Sequence, residues 1–227
     1  MADALGGSES THGPARVGGD VPHWPEGTVR ALLATDLVTA ATRTALRSRL
    51  DLPSVVAPLW FSGDEFETLV ALCARLIPQA DRAERVDLPG GVDRRLANDA
   101  GDGWRYAEMP PDPTMHRRGL RGLNETAQIR FGLRFKQLEA ACQDAVLAAV
   151  QRGEAPGATW RTLSASRYFE ELLAEVVDIY YAHPLAQEEI GFVGMADAQG
   201  WQAIGLDQHE PHEPSPIGDA GPEAARG

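Results

Sequence analysis

The chain is poor in the features that mark several common classes of protein. It has two cysteines in 227 residues, Cys73 and Cys142, and both fall within apolar helical patterns. Such thiols are typical of buried, reduced cysteines that act as small hydrophobic side chains, and we expect no disulfide. No run of about 18 apolar residues occurs, so no transmembrane helix is predicted.

Positive charge is also scarce. Lysine and arginine number 21 against 33 aspartates and glutamates, which gives a formal net charge of −12. Nucleic-acid binding needs clustered cations that displace counterions from phosphates, so a nucleic-acid partner is not expected. The shortage of positive charge also disfavours binding to an anionic membrane surface, and we expect no direct membrane insertion.

Motifs for catalysis or cofactor binding are missing as well. The chain has no glycine-rich dinucleotide or phosphate loop, no G-x-S-x-G and no H-E-x-x-H. Residues 209–213, HEPHE, offer imidazoles and carboxylates, but Pro211 and Pro214 prevent their presentation on a helix, which favours an exposed, stiff tail. A stand-alone metal-dependent enzyme that uses three histidines remains an alternative interpretation: His183, His209 and His212.

What the chain does contain is helical periodicity. Residues 62–78 begin with a capping box of Ser62 and Glu65 and place apolar side chains on one face. Residues 137–153, closed by Gly153, and residues 164–182 form two more strong helices, and Thr39 is a candidate cap for a helix over 39–50. Because strand signals are weak throughout, the predicted fold class is all-α, an irregular helical domain with long aromatic-bearing loops.

The middle of the chain is harder to interpret. Residues 79–114 are poorly periodic, with a short helix predicted over 92–98. Residues 115–132 predict one or two short helices, with Asn124 and Thr126 as candidate caps.

The 164–182 helix has an acidic face opposite its apolar face. We interpret this face as solvated rather than as a paired-carboxylate site; it carries Glu170, Glu171, Glu175 and Asp178.

His183 and Pro184 are predicted to end this helix. His183 is interpreted as a structural residue that helps to satisfy the carbonyls at the helix C-terminus. The alternative, a general base, would need a partner such as Glu188 or Glu189.

The two ends of the chain differ from its centre. Residues 1–22 and 214–227 are small and polar and are predicted to be disordered, so the helical domain spans 23–213. The N-terminus lacks a basic stretch followed by an apolar stretch, so we expect no export signal and a cytoplasmic location, or a periplasmic one only if a partner carries the chain.

The last part of the domain, residues 183–213, is predicted to be an extended C-terminal arm. Glycines at 191, 194, 200 and 205 allow close backbone approach, and Phe192 and Trp201 lie among them. Such an arm can lie against another protein, since aromatics anchor interfaces. It can equally fold back on its own helices and bury both rings, and the spacing does not choose between the two interpretations.

Several stretches resemble the gluconate 2-dehydrogenase subunit 3 family. They are FETLVALCARLIPQADR with the following DLPGG segment, GLRGLNETAQIRFGLRF, YFEELLAEVVDIYYAHPLAQEEIGFVGMADAQGW and, more weakly, the segment from 21 to 50. Together they span roughly residues 21–213. The elements Gly-Trp-Arg-Tyr at 103–106 and Tyr-Ala-His-Pro at 181–184 are the most characteristic.

The resemblance implies a small subunit with no cofactor of its own. Its partner would be a flavoprotein large subunit of the glucose-methanol-choline (GMC) type, which holds FAD and oxidises sugars, while a cytochrome or another acceptor removes the electrons. The small subunit would aid maturation or stability of the large one, and an independent helical adaptor or chaperone is the alternative. The resemblance favours the arm as interface, with these partner-binding residues: Trp104, Tyr106, Tyr181, His183, Pro184, Glu189, Gly191, Phe192, Gly194 and Trp201.

Overall fold

A computed structural model describes residues 24–101, 106–195, 197, 200–206, 208–215 and 217. The predicted disordered segment 1–22 lies outside these residues, as does most of the predicted tail 214–227. The described residues are helical and include no β-sheet, which confirms the all-α prediction.

Eight α-helices occur within the described residues. In chain order they are α1 (Thr28–Leu32), α2 (Ala40–Leu50), α3 (Gly63–Leu76), α4 (Leu88–Ala97), α5 (Asp112–Phe131), α6 (Ala140–Gln151), α7 (Ala165–Tyr181) and α8 (Pro184–Glu189). Two single 3-10 turns, Phe135–Gln137 and Thr159–Arg161, precede α6 and α7.

Three of the predicted helix starts are confirmed by their caps. The Thr39 hydroxyl accepts a hydrogen bond from the Thr42 amide at the start of α2. Ser62 and Glu65 form the predicted capping box of α3, and the Ser164 hydroxyl accepts from the Arg167 amide at the start of α7. Each cap satisfies amides that the first turn leaves without intrahelical partners.

The prediction of one or two short helices over 115–132 is wrong, because α5 is a single helix of 20 residues. Asn124 and Thr126 therefore lie inside it and do not cap. The Asn124 side chain instead accepts from the Phe135 amide at 3.0 Å, and the Thr126 hydroxyl accepts from the Trp160 indole N–H at 2.8 Å. Both side chains tie later loops to α5.

Three other boundaries differ from the prediction. Helix α6 begins at Ala140 rather than at residue 137, because a 3-10 turn occupies Phe135–Gln137. Helix α4 begins at Leu88 rather than at residue 92, because Asp87 caps it by accepting from the Gly90 amide. His183-Pro184 does end α7, but a further helix, α8, starts at Pro184, so the first part of the arm is helical rather than extended.

The main core is a contiguous apolar cluster formed chiefly by α3 to α7. Two glycines of α5 allow its closest helix contacts: the Tyr168 ring lies on Gly119 and the Trp160 ring lies on Gly122. A Cβ atom at Gly119 would lie 1.9 Å from the Tyr168 ring, so no side chain fits there. Buried Cys73 belongs to this core as a free thiol, and burial raises its pKa; Cys142 is also free.

A buried carboxylate holds the long segment between α2 and α3 against this core. Asp93 of α4 is fully buried and accepts hydrogen bonds from three successive amides, those of Leu59, Trp60 and Phe61, at 2.6–3.0 Å. Three amide donors compensate the desolvation of the buried carboxylate. The side chain thus fixes a loop that has no regular structure of its own.

Helices α1 and α2, residues 28–50, form what we call the N-terminal layer. Their apolar side chains belong to two small clusters separate from the main core: Val29, Leu33 and Leu46, and Leu32, Val38 and Val193. The layer packs against α8. No helix among the described residues is long and apolar enough to span a membrane.

Candidate functional site

The site begins at the junction of α7 and α8, where His183 is the pivot. The His183 Nδ1 accepts from the Leu185 amide at 3.3 Å, and Nε2 lies 3.1 Å from the carbonyl oxygen of Arg49 in α2. The neutral ring with its proton on Nε2 satisfies both contacts. Burial lowers the pKa of His183, and the hydrogen bond to Arg49 only partly opposes this shift.

His183 has two structural roles, one of which the sequence predicted. Its backbone amide donates to the Tyr180 carbonyl at 3.0 Å in the last turn of α7, as predicted, and its ring also caps the N-terminus of α8. As a general base it would need Glu188 or Glu189, but both carboxylates bind other residues. The geometry therefore assigns His183 a positioning role between α2 and α8.

Glu188 joins α8 to the start of α1. Its carboxylate accepts from the amides of Gly27 and Arg30 at 2.9 and 3.0 Å, and from the Arg30 guanidinium at 2.9 and 3.1 Å. Burial would raise the pKa of Glu188, but the hydrogen bonds from Arg30 and Gly27 outweigh burial and lower it. The sequence marked Glu188 only as a conceivable partner of His183, because its true partners lie about 160 residues earlier in the chain.

Glu189, a predicted site residue, faces a different way. Its carboxylate accepts from the Tyr180 hydroxyl at 2.5 Å and forms an ion pair with Arg82. Burial raises the pKa of Glu189 although Arg82 opposes the shift. The neighbouring predicted residue Tyr181 is exposed and packs edge-on against the Tyr180 ring at 5.1 Å between centroids.

Beyond α8 the arm folds back along the N-terminal layer. Val193 is buried against Leu32 and Val38. Gly191 adopts a left-handed backbone with φ 62°, and the Trp24 indole lies directly on it. The rings of Phe192 and Trp201 both lie over Gly194, where a Cβ atom would meet them at 3.1 and 2.4 Å.

The fold-back leaves a group of large apolar side chains in solvent. Phe192 is 43% exposed, Trp201 42%, Ile204 83% and Leu206 93%, and Ile190, two residues before Phe192, is 46% exposed. We call these five residues the apolar patch. The arm therefore packs on its own helices through Val193, as one interpretation of the sequence expected, yet it does not bury Phe192 and Trp201.

Polar contacts fix the backbone that carries the patch. The Asp197 carboxylate accepts a hydrogen bond from the Thr39 amide at the start of α2. The Glu210 carboxylate accepts from the amides of Gln202 and Ala203 at 2.5 and 2.7 Å, and these bonds lower the pKa of Glu210. The segment around Trp201 is thus tied down by carboxylates from both sides along the chain.

The remaining predicted site residues are not brought together with these. Pro184 is buried at the first turn of α8. The Arg167 guanidinium lies over the Tyr106 ring, with its carbon 4.0 Å from the ring centroid. Arg167 is in the first turn of α7, which is about 25 Å long, so Tyr106 lies at the end of this helix opposite to His183. Trp104 lies outside the described residues.

The histidine-containing segment 209–213 does not assemble a metal site in the described part of the chain. His209 Nδ1 lies 3.2 Å from the Glu213 carboxylate, and Glu210 is committed to backbone amides. Among the described residues, no three His, Cys, Asp or Glu side chains are arranged to hold a metal ion.

The interpretation of the acidic face of α7 as solvated is wrong for one member, Glu175. Its carboxylate is buried, 2.8 Å from His116 Nε2 and 3.0 Å from Arg95 Nη1. Burial would raise the pKa of Glu175, but the interactions with His116 and Arg95 outweigh it and lower the pKa. The helical pattern of α7 could not reveal these two partners of Glu175, because His116 belongs to α5 and Arg95 to α4.

The fold and this surface define an all-α protein that presents an anchored, aromatic-bearing arm to solvent. The family model for gluconate 2-dehydrogenase subunit 3 matches residues 63–207, well over half of the chain. The chain therefore belongs to the gluconate 2-dehydrogenase subunit 3 family, a family of subunits of a dehydrogenase complex, as the sequence resemblance predicted. The match includes α3 to α8 and the whole apolar patch, and it leaves out the N-terminal layer.

No curated protein and no solved structure matches the chain.

Proposed function

We propose that this chain is a non-catalytic small subunit that binds a GMC-type flavoprotein and stabilises it during maturation. The partner would hold FAD and oxidise sugars, glycosides or sugar acids. The observation that carries the proposal is the apolar patch: five large hydrophobic side chains are exposed on a backbone that the rest of the chain holds in place.

Contact of so much apolar surface with water is unfavourable in free energy, so an exposed patch of this kind indicates a function. Contiguous apolar patches on soluble proteins mark interaction sites, and aromatic anchors carry much of the binding energy at interfaces. Because Asp197, Glu210 and Val193 already fix the arm, little conformational entropy is lost when a partner covers it. An anchored, uncovered patch favours a protein partner over intramolecular packing.

Five of the predicted partner-binding residues have one of two roles in this proposal. Tyr181, Phe192 and Trp201 are exposed and would contact the flavoprotein. Gly191 and Gly194 would act by allowing Trp24, Phe192 and Trp201 to approach the backbone closely.

A matched pair of substitutions tests the docking surface. Phe192→Ala removes a patch ring, while Phe131→Ala removes a ring of similar exposure, 37%, at the end of α5 outside the patch. Co-expressed with a GMC-type large subunit from the same organism, the Phe192 variant should bind at least about tenfold more weakly, because an interface anchor typically contributes 2 kcal/mol or more. Affinity and the flavin content of the purified complex are the readouts.

The control variant Phe131→Ala should assemble like the wild type, and both free variants should melt close to the wild-type temperature. Equal losses of affinity for the two variants, or none for Phe192→Ala, would count against the surface. A large subunit that is soluble, flavin-loaded and fully active without this chain would count against the stabilising role.

A further inference from the structure

A cleft of about 430 Å³ lies between the N-terminal layer and the main core. It opens where the end of α2 faces the loop before α4 and the junction of α7 with α8. Its volume lies within the range of small-molecule sites, which is roughly 300–1,000 Å³. None of the side chains proposed to contact the flavoprotein lines this cleft.

Three arginines line the cleft. Arg49 donates to the Ala182 carbonyl at 2.8 Å, Arg85 to the Ala80 carbonyl at 3.0 Å, and Arg94 to the Pro53 carbonyl at 3.2 Å. Each guanidinium has five N–H donors, so these bonds leave donors on every one of them. Carbonyl acceptors are neutral and do not balance the positive charge.

The carboxylates that line the same cleft are occupied. Asp87 caps α4, accepts from the Val55 amide and pairs with Arg94, while Glu84 pairs with Arg30 at 2.7 Å. Among the described residues, neither Arg49 nor Arg85 lies within ion-pair distance of a carboxylate. Two unbalanced cations in one cleft stand out on a chain of net charge −12.

The lining also contains apolar side chains. They are Leu50 of α2, Val86 of the loop before α4, Ile179 of α7 and Leu185 of α8. A ligand that satisfied only the guanidiniums would leave these side chains in contact with water, so the cleft suits an anion with a hydrocarbon body.

A neighbouring cleft of about 320 Å³ provides a contrast. It shares Glu84, Val86 and Leu185 with the first, but its other charged groups are mainly carboxylates, among them Glu26 and Asp81. The two clefts thus have opposite electrostatic character although they are similar in size.

From this contrast we propose that the basic cleft is a binding site for a small organic anion, with its carboxylate or phosphate head held by Arg49, Arg85 and Arg94. Its hydrocarbon part lies against Leu50, Ile179 and Leu185. Because Arg49 belongs to the N-terminal layer and Arg94 to α4 of the main core, the bound anion joins the two regions.

The test uses the full chain and three probes at constant ionic strength. Octanoate carries both head and body, inorganic phosphate carries a head alone, and octylamine carries the body with the opposite charge. Titration calorimetry should show octanoate binding more tightly than the other two. Amide chemical shifts should change around Arg49, Val86 and Leu185, which locates the site in the unmodified protein.

The variant Arg49→Gln/Arg85→Gln should weaken octanoate binding by about tenfold or more, because it removes two charge-assisted contacts. The control Arg121→Gln/Arg161→Gln makes the same charge change at exposed arginines outside the cleft and should bind like the wild type. Since Arg49 also links α2 to α7, the single variant Arg85→Gln should show part of the loss without disturbing that link.

Four results would overturn the proposal. They are octanoate binding no tighter than phosphate or octylamine, equal weakening in the control variant, shift changes outside the cleft, and no octanoate binding at all. The last is also what a cleft filled only by an acidic side chain of a partner protein would give. Binding is measured on the free chain, so the outcome does not depend on the docking proposal.

Discussion

The main core and the N-terminal layer are held together by different kinds of interaction. The main core is one large apolar cluster in which residues such as Leu69, Leu123 and Phe135 are completely buried. The layer has only two small apolar clusters, and much of its attachment is polar: Glu188 binds the start of α1, and the His183 ring contacts the carbonyl at the end of α2.

The difference predicts where the molecule opens first. Apolar burial contributes to global stability roughly in proportion to area, whereas a few hydrogen bonds at a boundary can break without unfolding the rest. We therefore expect the layer to open locally at a lower free energy than the main core. The basic cleft and the surface beneath the arm both lie at this boundary, so opening of the layer would alter both.

The largest effect is expected from a matched pair of core truncations. Leu123→Ala in α5 should lower the global free energy of unfolding by about 2–5 kcal/mol, because it leaves a cavity in the main core. Leu33→Ala, equally apolar and nearly as buried, should chiefly increase amide exchange in 28–50. Chemical denaturation and hydrogen exchange, measured on both variants, make the comparison.

Similar global losses for the two leucine variants would mean that layer and core unfold as one unit. The distinction between the regions would then not hold.

A smaller and more local effect is expected from Glu188→Gln. Loss of the carboxylate charge weakens four hydrogen bonds to the start of α1, and the free energy of local opening should fall by about 1–3 kcal/mol. Exchange at α1 and α2 should rise while α5 stays protected.

The matched control is Glu84→Gln, which removes the other partner of Arg30. Glu84 is largely exposed, so its loss should have little effect. Rapid exchange in α5 of the Glu188 variant would contradict a local role.

The smallest expected effect is a dependence of the stability of the N-terminal layer on pH. Burial lowers the pKa of His183 below its ordinary value of about 6.5, so the unfolded state binds protons first and stability is lost as pH falls from about 6.5. The pKa of Glu188 is also lowered, so the layer loses stability a second time as pH falls below about 4.3.

The pKa of Glu175 is also lowered, so the main core loses stability at low pH as well. The loss of stability that begins near pH 6.5, which we call the upper step, therefore distinguishes the two regions. Exchange in 28–50, corrected for intrinsic rates, should therefore accelerate between about pH 6.5 and 5 while α5 remains unchanged. A His183→Asn variant should lack this upper step, and its persistence there would assign the effect to another group.

Much of the helical framework could be predicted because its signals are local. Ser62 with Glu65, Thr39 and Ser164 bind amides within three residues, so their roles are visible in short windows of sequence. The α5 prediction was wrong because Asn124 and Thr126 were interpreted as caps, whereas in the structure their side chains bind the Phe135 amide and the Trp160 indole. A proline at the first position after a capping histidine was a signal for α8 that a stop interpretation of His183-Pro184 overlooked.

The candidate surface was predictable only in part for a related reason. Glycine spacing indicated close backbone approach at 191 and 194, and the rings of Trp24, Phe192 and Trp201 do lie there. The anchors of the arm were not predictable, because Asp197 with Thr39 and Glu188 with Arg30 join residues some 158 positions apart. Such partners follow from topology, which one sequence does not disclose.

The contact of Tyr168 with Gly119 and of Trp160 with Gly122 also restricts how this protein can change over evolutionary time. A larger residue at 119 requires a smaller one at 168 beforehand, and the same holds for 122 with 160. Across related chains these positions should therefore vary as two pairs, with the loss of a ring accompanying the loss of its glycine.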